Sequence, residues 1–203
     1  MDAGRAADSV GVSAGVPGAE SGRGTTLWHF ERFDADAVAW ATRRLGREPR
    51  LLGEFGALGV RSYRTTEHLG NLITNAGYSR IGNLATNQGA TQAFDATHTR
   101  IGVGDSSAAA AYTDTDLAGG APATNEFFKL VSGAATIGGT RTWAWTAVFA
   151  SGQANQVWAG FGIDQGTADG TTVTAPLLNH AVSAQGTKAS GQVWTATATI
   201  TWS

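Results

Sequence analysis

The side chains that could carry out chemistry in this chain are few and widely spaced. The four histidines are His29, His68, His98 and His180. None has the His-Glu-x-x-His spacing of a zinc protease. His180 lies beside an expected strand, and we interpret it as a hydrogen-bonded structural residue. We therefore expect a protein that is not an enzyme.

The carboxylates offer two further kinds of site, and neither is well supported. Asp105, Asp114 and Asp116 could ligate a hard cation such as calcium, which prefers oxygen ligands. Their spacing matches no known calcium loop, and Thr-Asp-Thr-Asp also suits a solvated turn. A glycosidase needs a facing pair of carboxylates, but the last 70 residues hold only Asp164 and Asp169. We expect neither a metal site nor glycoside hydrolysis.

The glycine-containing segment 101–107 (IGVGDSS) invites comparison with phosphate-binding loops. Its spacing fits neither Gly-x-Gly-x-x-Gly nor Gly-x-x-x-x-Gly-Lys, and no helical pattern follows it. It is better explained as a strand that ends in a tight turn. We therefore expect no cofactor.

One basic cluster stands out, formed by Arg43, Arg44, Arg47 and Arg50. At the end of a predicted helix these cations complement the helix dipole. The same cluster could also contact an acidic partner surface. Neither interpretation gives these arginines a catalytic role.

Composition excludes several broad classes of protein. Only 15% of the 203 residues are charged, and the formal net charge is −2, which provides no cationic field for nucleic acid. The chain has no cysteine, which excludes disulfides and zinc ribbons. No apolar run approaches the 18 or so residues that span a bilayer, and no signal peptide is evident. We expect a soluble protein that binds neither nucleic acid nor membrane.

The chain divides into three predicted regions. Residues 1–25 are rich in Gly, Ala and Ser and are expected to form a flexible arm. Residues 26–65 are expected to be a helical lead-in and connector, with Asp34 as N-cap and Gly46 as the stop. Residues 66–203 are expected to form a helix followed by an antiparallel β-sandwich domain.

Within the third region the pattern changes from helix to strand. A helical stripe runs over 66–86 and is interrupted near Gly77. Period-two alternation follows, with Trp, Val, Phe and Thr typical of strands. The predicted strands are 101–103, 128–130, 140–149, 158–164 and 193–202. The fold class is therefore α+β, mainly β, an antiparallel sandwich or barrel preceded by short helices.

Five of the seven tryptophans lie in the predicted β region, more than one sandwich core of this size needs, so some are expected to face another chain. Core and interface positions stay open for each ring. With the two arginines at the helix end, the candidate interface residues are Trp28, Trp40, Arg43, Arg44, Trp143, Trp145, Trp158, Trp194 and Trp202.

Several short segments follow one another in a recognisable order. They are 70–77 (GNLITNAG), 99–107 (TRIGVGDSS), 113–117 (TDTDL), 146–155 (TAVFASGQAN), 177–180 (LLNH) and 186–194 (GTKASGQVW). Over residues 26–203 the chain resembles small virion structural proteins of actinobacterial tailed bacteriophages. The resemblance implies a capsid decoration or minor capsid protein, or a minor tail or fibre-attachment protein, and it implies no catalytic residues.

The resemblance also implies partners and a location. The expected partners are the major capsid protein and further copies of this chain, with tail proteins as the alternative. The expected location is the virion, preferably the capsid surface, after synthesis in the host cytoplasm. A carbohydrate-binding module that stacks sugars on tryptophan is the alternative from another class.

Overall fold

The computed structural model describes residues 24–70, 72–89, 92–139 and 141–202. Within these ranges two five-stranded antiparallel sheets pack face to face around a shared apolar core. Strands account for much more of the chain than helices do. The expected fold class, a mainly β antiparallel sandwich with short helices, is confirmed.

Each sheet draws its strands from distant parts of the chain. The strands are β1 (Gly24–Phe33), β2 (Arg64–Leu69), β3 (Leu72–Ile73), β4 (Thr99–Gly104), β5 (Glu126–Leu130), β6 (Thr136–Gly138), β7 (Thr142–Phe149), β8 (Val157–Gln165), β9 (Asn179–Thr187) and β10 (Val193–Trp202). The helices are α1 (Ala35–Leu45), α2 (Leu52–Ala57) and α3 (Asn75–Thr86). Sheet I has the order β2-β1-β10-β7-β6, and sheet II has the order β3-β9-β8-β4-β5.

The inner face of sheet I follows the alternation that its sequence predicts. In β10, Trp194 and Ile200 are buried between the sheets, whereas Thr197 and Thr199 lie on the opposite face and are half-buried. Strand β7 repeats this pattern and buries Trp145. Because successive side chains of a strand point to opposite faces, the two predicted strands could be placed correctly from sequence.

The prediction of a helical lead-in over 26–65 is wrong for its first part. Residues 24–33 form β1, which pairs with β10 along its whole length, with Trp28 opposite Ala198. Trp28 and Phe30 are fully buried in the sandwich core. The lead-in is therefore part of the β-sandwich domain. Of the expected flexible arm, residues 1–23 lie outside the described residues, and residues 24 and 25 belong to β1.

Helix α1 forms where the sequence predicts it. The Asp34 carboxylate accepts a hydrogen bond from the Ala37 N–H at 2.8 Å, and Gly46 ends the helix with φ +70°. Helices α1 and α2 cover part of the outer face of sheet I, where the Phe33 and Phe55 rings stack with centroids 3.8 Å apart.

The predicted helix over 66–86 begins later than expected. Residues 64–73 contribute β2 and β3, which are edge strands of the two sheets. Helix α3 begins after Thr74, whose side chain accepts a hydrogen bond from the Gly77 N–H at 2.9 Å. Gly77 is not a kink: it lies inside the helix and packs on the backbone of Leu178.

Strand β8 departs from simple alternation. The sequence places Trp158 on the same face as Gly160 and Gly162. A register shift between Trp158 and Gly160 instead brings Trp158 to the inner face with Phe161. Strand β9, which sequence analysis missed, completes this part of sheet II.

Candidate functional site

The outer face of sheet II carries glycines where its strands meet. Gly102 pairs with Gly162, and Gly104 pairs with Gly160, across β4 and β8. A Cβ added at Gly160 would lie 2.9 Å from the Ser106 carbonyl oxygen. Loop backbone therefore lies directly on the sheet, and the polar side chains around these glycines become buried.

The strongest polar contact on this face is an ion pair between Arg100 and Asp164. Arg100 Nε donates to Asp164 Oδ1 at 2.9 Å, and Arg100 Nη2 donates to Asp164 Oδ2. The guanidinium also donates to the carbonyl oxygens of Ala168 and Thr172 at 3.1 Å each. Asp164 Oδ2 accepts from the Thr174 N–H at 3.0 Å. The pair therefore holds the loop after β8, and both side chains are almost wholly buried.

The pKa of Asp164 is set by opposing effects. Burial raises it above the usual range, and the hydrogen bonds and charge of Arg100 partly offset this rise. The paired carboxylate has no free face to offer a ligand. We assign Arg100 and Asp164 a structural role.

His180 and Asp114 form a second buried pair. His180 Nδ1 lies 2.7 Å from Asp114 Oδ2, and that oxygen also accepts from the Ala111 N–H at 2.7 Å. Although a histidine–aspartate pair could serve a nucleophile, His180 is fully buried and Gly160 lies on the side of its Nε2 atom. The pair joins the loop before β5 to β9, in line with the structural interpretation of His180.

The other acidic side chains of this region also make internal contacts. Asp105 accepts from the Asn125 N–H at 3.1 Å and from the Asn125 side-chain amide at 2.7 Å. Asp116 accepts from the Leu117 N–H at 2.8 Å. Within the described ranges, no three side chains of His, Cys, Asp or Glu are grouped so that they could hold a metal ion.

Glu126 is the most strongly perturbed carboxyl group of this cluster. Its residue is 6% exposed, and its Oε2 accepts from the Ala123 N–H at 2.9 Å. Burial, with a further contribution from the neighbouring Asp116, raises the pKa of Glu126 to about 7. The folded protein therefore holds a proton here that an unfolded glutamate releases near pH 4.5.

We expect Glu126→Gln to remove part of the pH dependence of stability. A raised folded-state pKa contributes stability that is fully present below pH 4.5 and is lost as the pH rises through about 7. Glutamine stays neutral, so the variant should gain on the order of 2 kcal/mol relative to wild type between pH 5 and pH 8. Urea unfolding at both pH values measures this gain. Asp36→Asn, at an exposed position of α1, is the control, and equal pH slopes for wild type and Glu126→Gln would contradict the assignment.

The tryptophans of the candidate interface separate into two groups. Trp28, Trp145, Trp158 and Trp194 are at most 2% exposed and pack in the core. The structure therefore removes Trp28, Trp158 and Trp194 from the interface, because their rings are enclosed between the two sheets. Trp145 is buried but has one edge toward a groove described below.

In α1, Trp40 is half-buried and packs against the cluster that contains Phe33 and Phe55, whereas Arg43 and Arg44 are exposed. The Arg44 guanidinium lies over the Trp40 ring, 5.3 Å from its centroid, and Arg43 is exposed. In the rest of the predicted basic cluster, Arg50 is exposed, whereas Arg47 pairs with Glu54, and this contact lowers the pKa of Glu54 to about 2. Only part of the cluster is left to contact a partner.

Of the candidate interface residues, Trp143 and the edge of Trp145 line an open apolar groove of about 430 Å³ at one end of the sandwich. Every side chain that lines it is apolar. They are Ile81, Leu84 and Ala85 from α3, Ala93 and Phe94 from the segment that follows, Ala135 and Ile137 around β6, and Trp143 and Trp145 from β7. We call this feature the apolar groove.

The walls of the apolar groove are held in place by internal contacts. Trp145 Nε1 donates to the Phe94 carbonyl oxygen at 3.1 Å, and the Trp143 and Trp145 rings meet edge to face at 6.2 Å. Ile137 nevertheless is 76% exposed, and Leu84 is 37% exposed. Apolar surface on a fixed frame is typical of a site that binds another apolar surface.

An open sheet edge runs beside the apolar groove. Strand β6 is at the end of sheet I, and among the described strands it pairs only with β7, with Ile137 opposite Trp143. Such an edge can accept a further strand through backbone hydrogen bonds. Trp202 extends the aromatic wall, since its ring lies 5.0 Å from Trp143.

Sequence analysis identified the tryptophans of this site but missed Phe94, Ala135 and Ile137. The sequence predicts the helical stripe through Ile81 and Leu84 but assigns it no function. Ile137 stands between threonine and glycine in a three-residue strand, where no local pattern distinguishes it.

Comparisons with protein-family models, with curated proteins and with solved structures find no match to this chain. None of the helices in the described ranges is both long and apolar enough to cross a lipid bilayer.

Proposed function

We propose that this chain is a structural protein of a tailed-bacteriophage virion, a capsid decoration or minor capsid protein that binds the assembled shell and stabilises it. Its partners are the major capsid protein and further copies of itself. In this proposal it is not an enzyme, needs no cofactor and works through contacts alone.

The apolar groove beside the open edge of β6 is the observation that carries this proposal. A side chain such as Ile137, 76% exposed next to an all-apolar groove, gains from a partner that removes it from water. The buried pairs Arg100–Asp164 and His180–Asp114 also support a protein that works through contacts, because their polar side chains hold loops in place. Because the sequence resembles virion proteins, we infer that the partner of this surface is part of a virion.

A low charge also suits repeated packing on a particle. The net charge of −2 over 203 residues produces little repulsion between neighbouring copies. Many modest contacts of this kind stabilise a shell by mass action, because a protein that binds only the assembled state shifts the equilibrium toward it.

Binding to shells tests the proposal directly. Purified protein at micromolar concentration is mixed with undecorated shells, and we expect it to co-sediment with them. Mass spectrometry of purified virions should find it in hundreds of copies, whereas six to a few dozen copies would assign it to the tail. Absence from virions together with no binding to shells would overturn the proposal. Glycan binding with no particle binding would favour a carbohydrate-binding module.

A further inference from the structure

We propose that the apolar groove binds residues 10–16 of a second copy of this chain, which add to β6 as an extra strand. The proposal rests on the proposed function and names the contact by which copies associate. Three independent observations support it: the pattern of these residues, the chemistry of the groove and the position of β1, which follows the segment in the chain.

The sequence of the segment alternates with the period of a strand. Val10, Val12, Ala14 and Val16 alternate with glycine and serine, and Pro17 follows. An extended segment with this pattern carries its apolar side chains on one face, at intervals of about 6.6 Å. Proline lacks an N–H, so it suits a position just beyond the end of a paired strand.

The groove matches this segment in size and charge. It is lined only by apolar side chains, and residues 9–19 carry no charged side chain. A volume of about 430 Å³ accepts small side chains such as valine and alanine. Backbone pairing with the open edge of β6 supplies affinity, and the groove selects the apolar face of the incoming strand.

The described part of the chain begins near this end of the sandwich. The segment precedes β1, whose first residue, Gly24, pairs with Trp202. A Cβ at Gly24 would lie 3.1 Å from the Trp202 ring, and that ring contacts Trp143 in the wall of the groove. The start of β1, which follows the segment in the chain, and the apolar groove therefore lie at the same end of the molecule.

Occupation by a neighbour is favoured over occupation by the chain's own segment. Strands β10 and β7 separate β1 from β6, so a strand added outside β6 lies about 19 Å from β1. The seven residue steps from Pro17 to Gly24 reach at most about 24 Å. The chain's own segment would need an almost fully extended connection across the Trp202 and Trp143 rings. A neighbour's segment has no such restraint.

The contact is heterologous, because a segment of one copy meets a groove of another. Repetition of such a contact closes into a ring when the rotation between copies allows it, and otherwise forms an open chain. Each copy both donates and accepts one strand. This arrangement would link copies across the surface of a particle.

The test uses paired variants of the full chain and measures mass by light scattering after gel filtration at micromolar concentration. Val10→Asp with Val12→Asp blocks the segment, and Ile137→Asp blocks the groove. We expect wild type to be oligomeric and each blocked protein to be monomeric, with self-association at least 100-fold weaker because a charge would be buried without a partner.

Matched controls place the same charges on the opposite faces. Ser9→Asp with Ser13→Asp leaves the apolar face of the segment intact. Thr136→Asp leaves Ile137 intact, because Thr136 precedes Ile137 in β6 and its side chain is on the other face of the strand. Both controls should remain oligomeric. Since Ile137 is 76% exposed, Ile137→Asp should also keep the thermal unfolding midpoint of the wild-type fold.

Mixing the two blocked proteins gives the decisive result. The segment-blocked protein retains its groove, and the groove-blocked protein retains its segment, so together they should form a 1:1 dimer that does not grow. A monomeric wild type, loss of association in the controls or no complex on mixing would each overturn the proposal. Failure of the proposed function is separate: it would appear as oligomers that neither bind shells nor occur in virions.

Discussion

Asp164→Ala is expected to destabilise the protein by about 3–5 kcal/mol. The change leaves Arg100, which is 2% exposed, without its counter-charge on the covered face of sheet II. Water cannot replace the carboxylate unless the loop that ends at Thr174 opens, because its backbone bonds both partners. Urea unfolding monitored by tryptophan fluorescence measures the loss as a lower midpoint.

The double variant Arg100→Leu with Asp164→Leu separates burial of a lone charge from loss of the contact itself. We expect it to be more stable than Asp164→Ala by at least about 2 kcal/mol, since no unpaired charge remains. Lys129→Ala is the control for an ion pair with more solvent access, because its bond to Asp169 lies at a partly exposed position. It should cost less than about 1 kcal/mol. A double variant whose loss of stability equals the sum of the losses of Arg100→Leu and Asp164→Leu measured singly would contradict this account.

Gly77→Ala is expected to have the second large effect, a loss of about 3 kcal/mol. A Cβ at this position would overlap the carbonyl oxygen of Leu178, and neither backbone can give way without moving α3 from sheet II. The contact is reinforced by Thr74, whose N–H donates to that same oxygen at 3.1 Å. Thermal unfolding followed by circular dichroism measures the loss. The shift of α3 would also displace Ile81 and Leu84 from the apolar groove, so self-association should weaken as well.

Gly82→Ala on the same helix is the matched control. Nothing lies within 4 Å of a Cβ at Gly82, and the residue is exposed. Alanine has the higher helix propensity, so this variant should be more stable than wild type by about 0.5–1 kcal/mol. Equal effects of the two substitutions would show that helix propensity, rather than contact with Leu178, governs position 77.

The sequence predicted elements whose pattern is local and missed those that depend on distant partners. The alternation in β7 and β10 and the cap at Asp34 are local, and the structure confirms all three. Strand β1 was assigned to a helical lead-in, although Trp28 and Phe30 alternate with polar residues. Its partner β10 lies at the other end of the chain, so the pairing that decides its structure cannot be read from the segment alone.

The same distinction between local and distant contacts explains how much of the candidate site the sequence could predict. Excess tryptophan predicted an apolar surface, but composition could not separate the enclosed Trp158 from the half-buried Trp143. The apolar groove unites residues from α3, the segment after it, and β6 with β7, which only the folded topology brings together. Arg100 and Asp164 likewise become neighbours through the pairing of β4 with β8.

The paired glycines of β4 and β8 also constrain how the chain reaches its native state. A slip of β8 by one residue would turn Phe161 outward, where the Ser106 and Leu117 carbonyl oxygens now lie over the bare backbone of Gly160. The loops could then not close, and Asp164 would point into the apolar interior, away from Arg100. The paired glycines therefore favour the native alignment of β4 with β8, because residues without a Cβ leave room for the loop backbone above them.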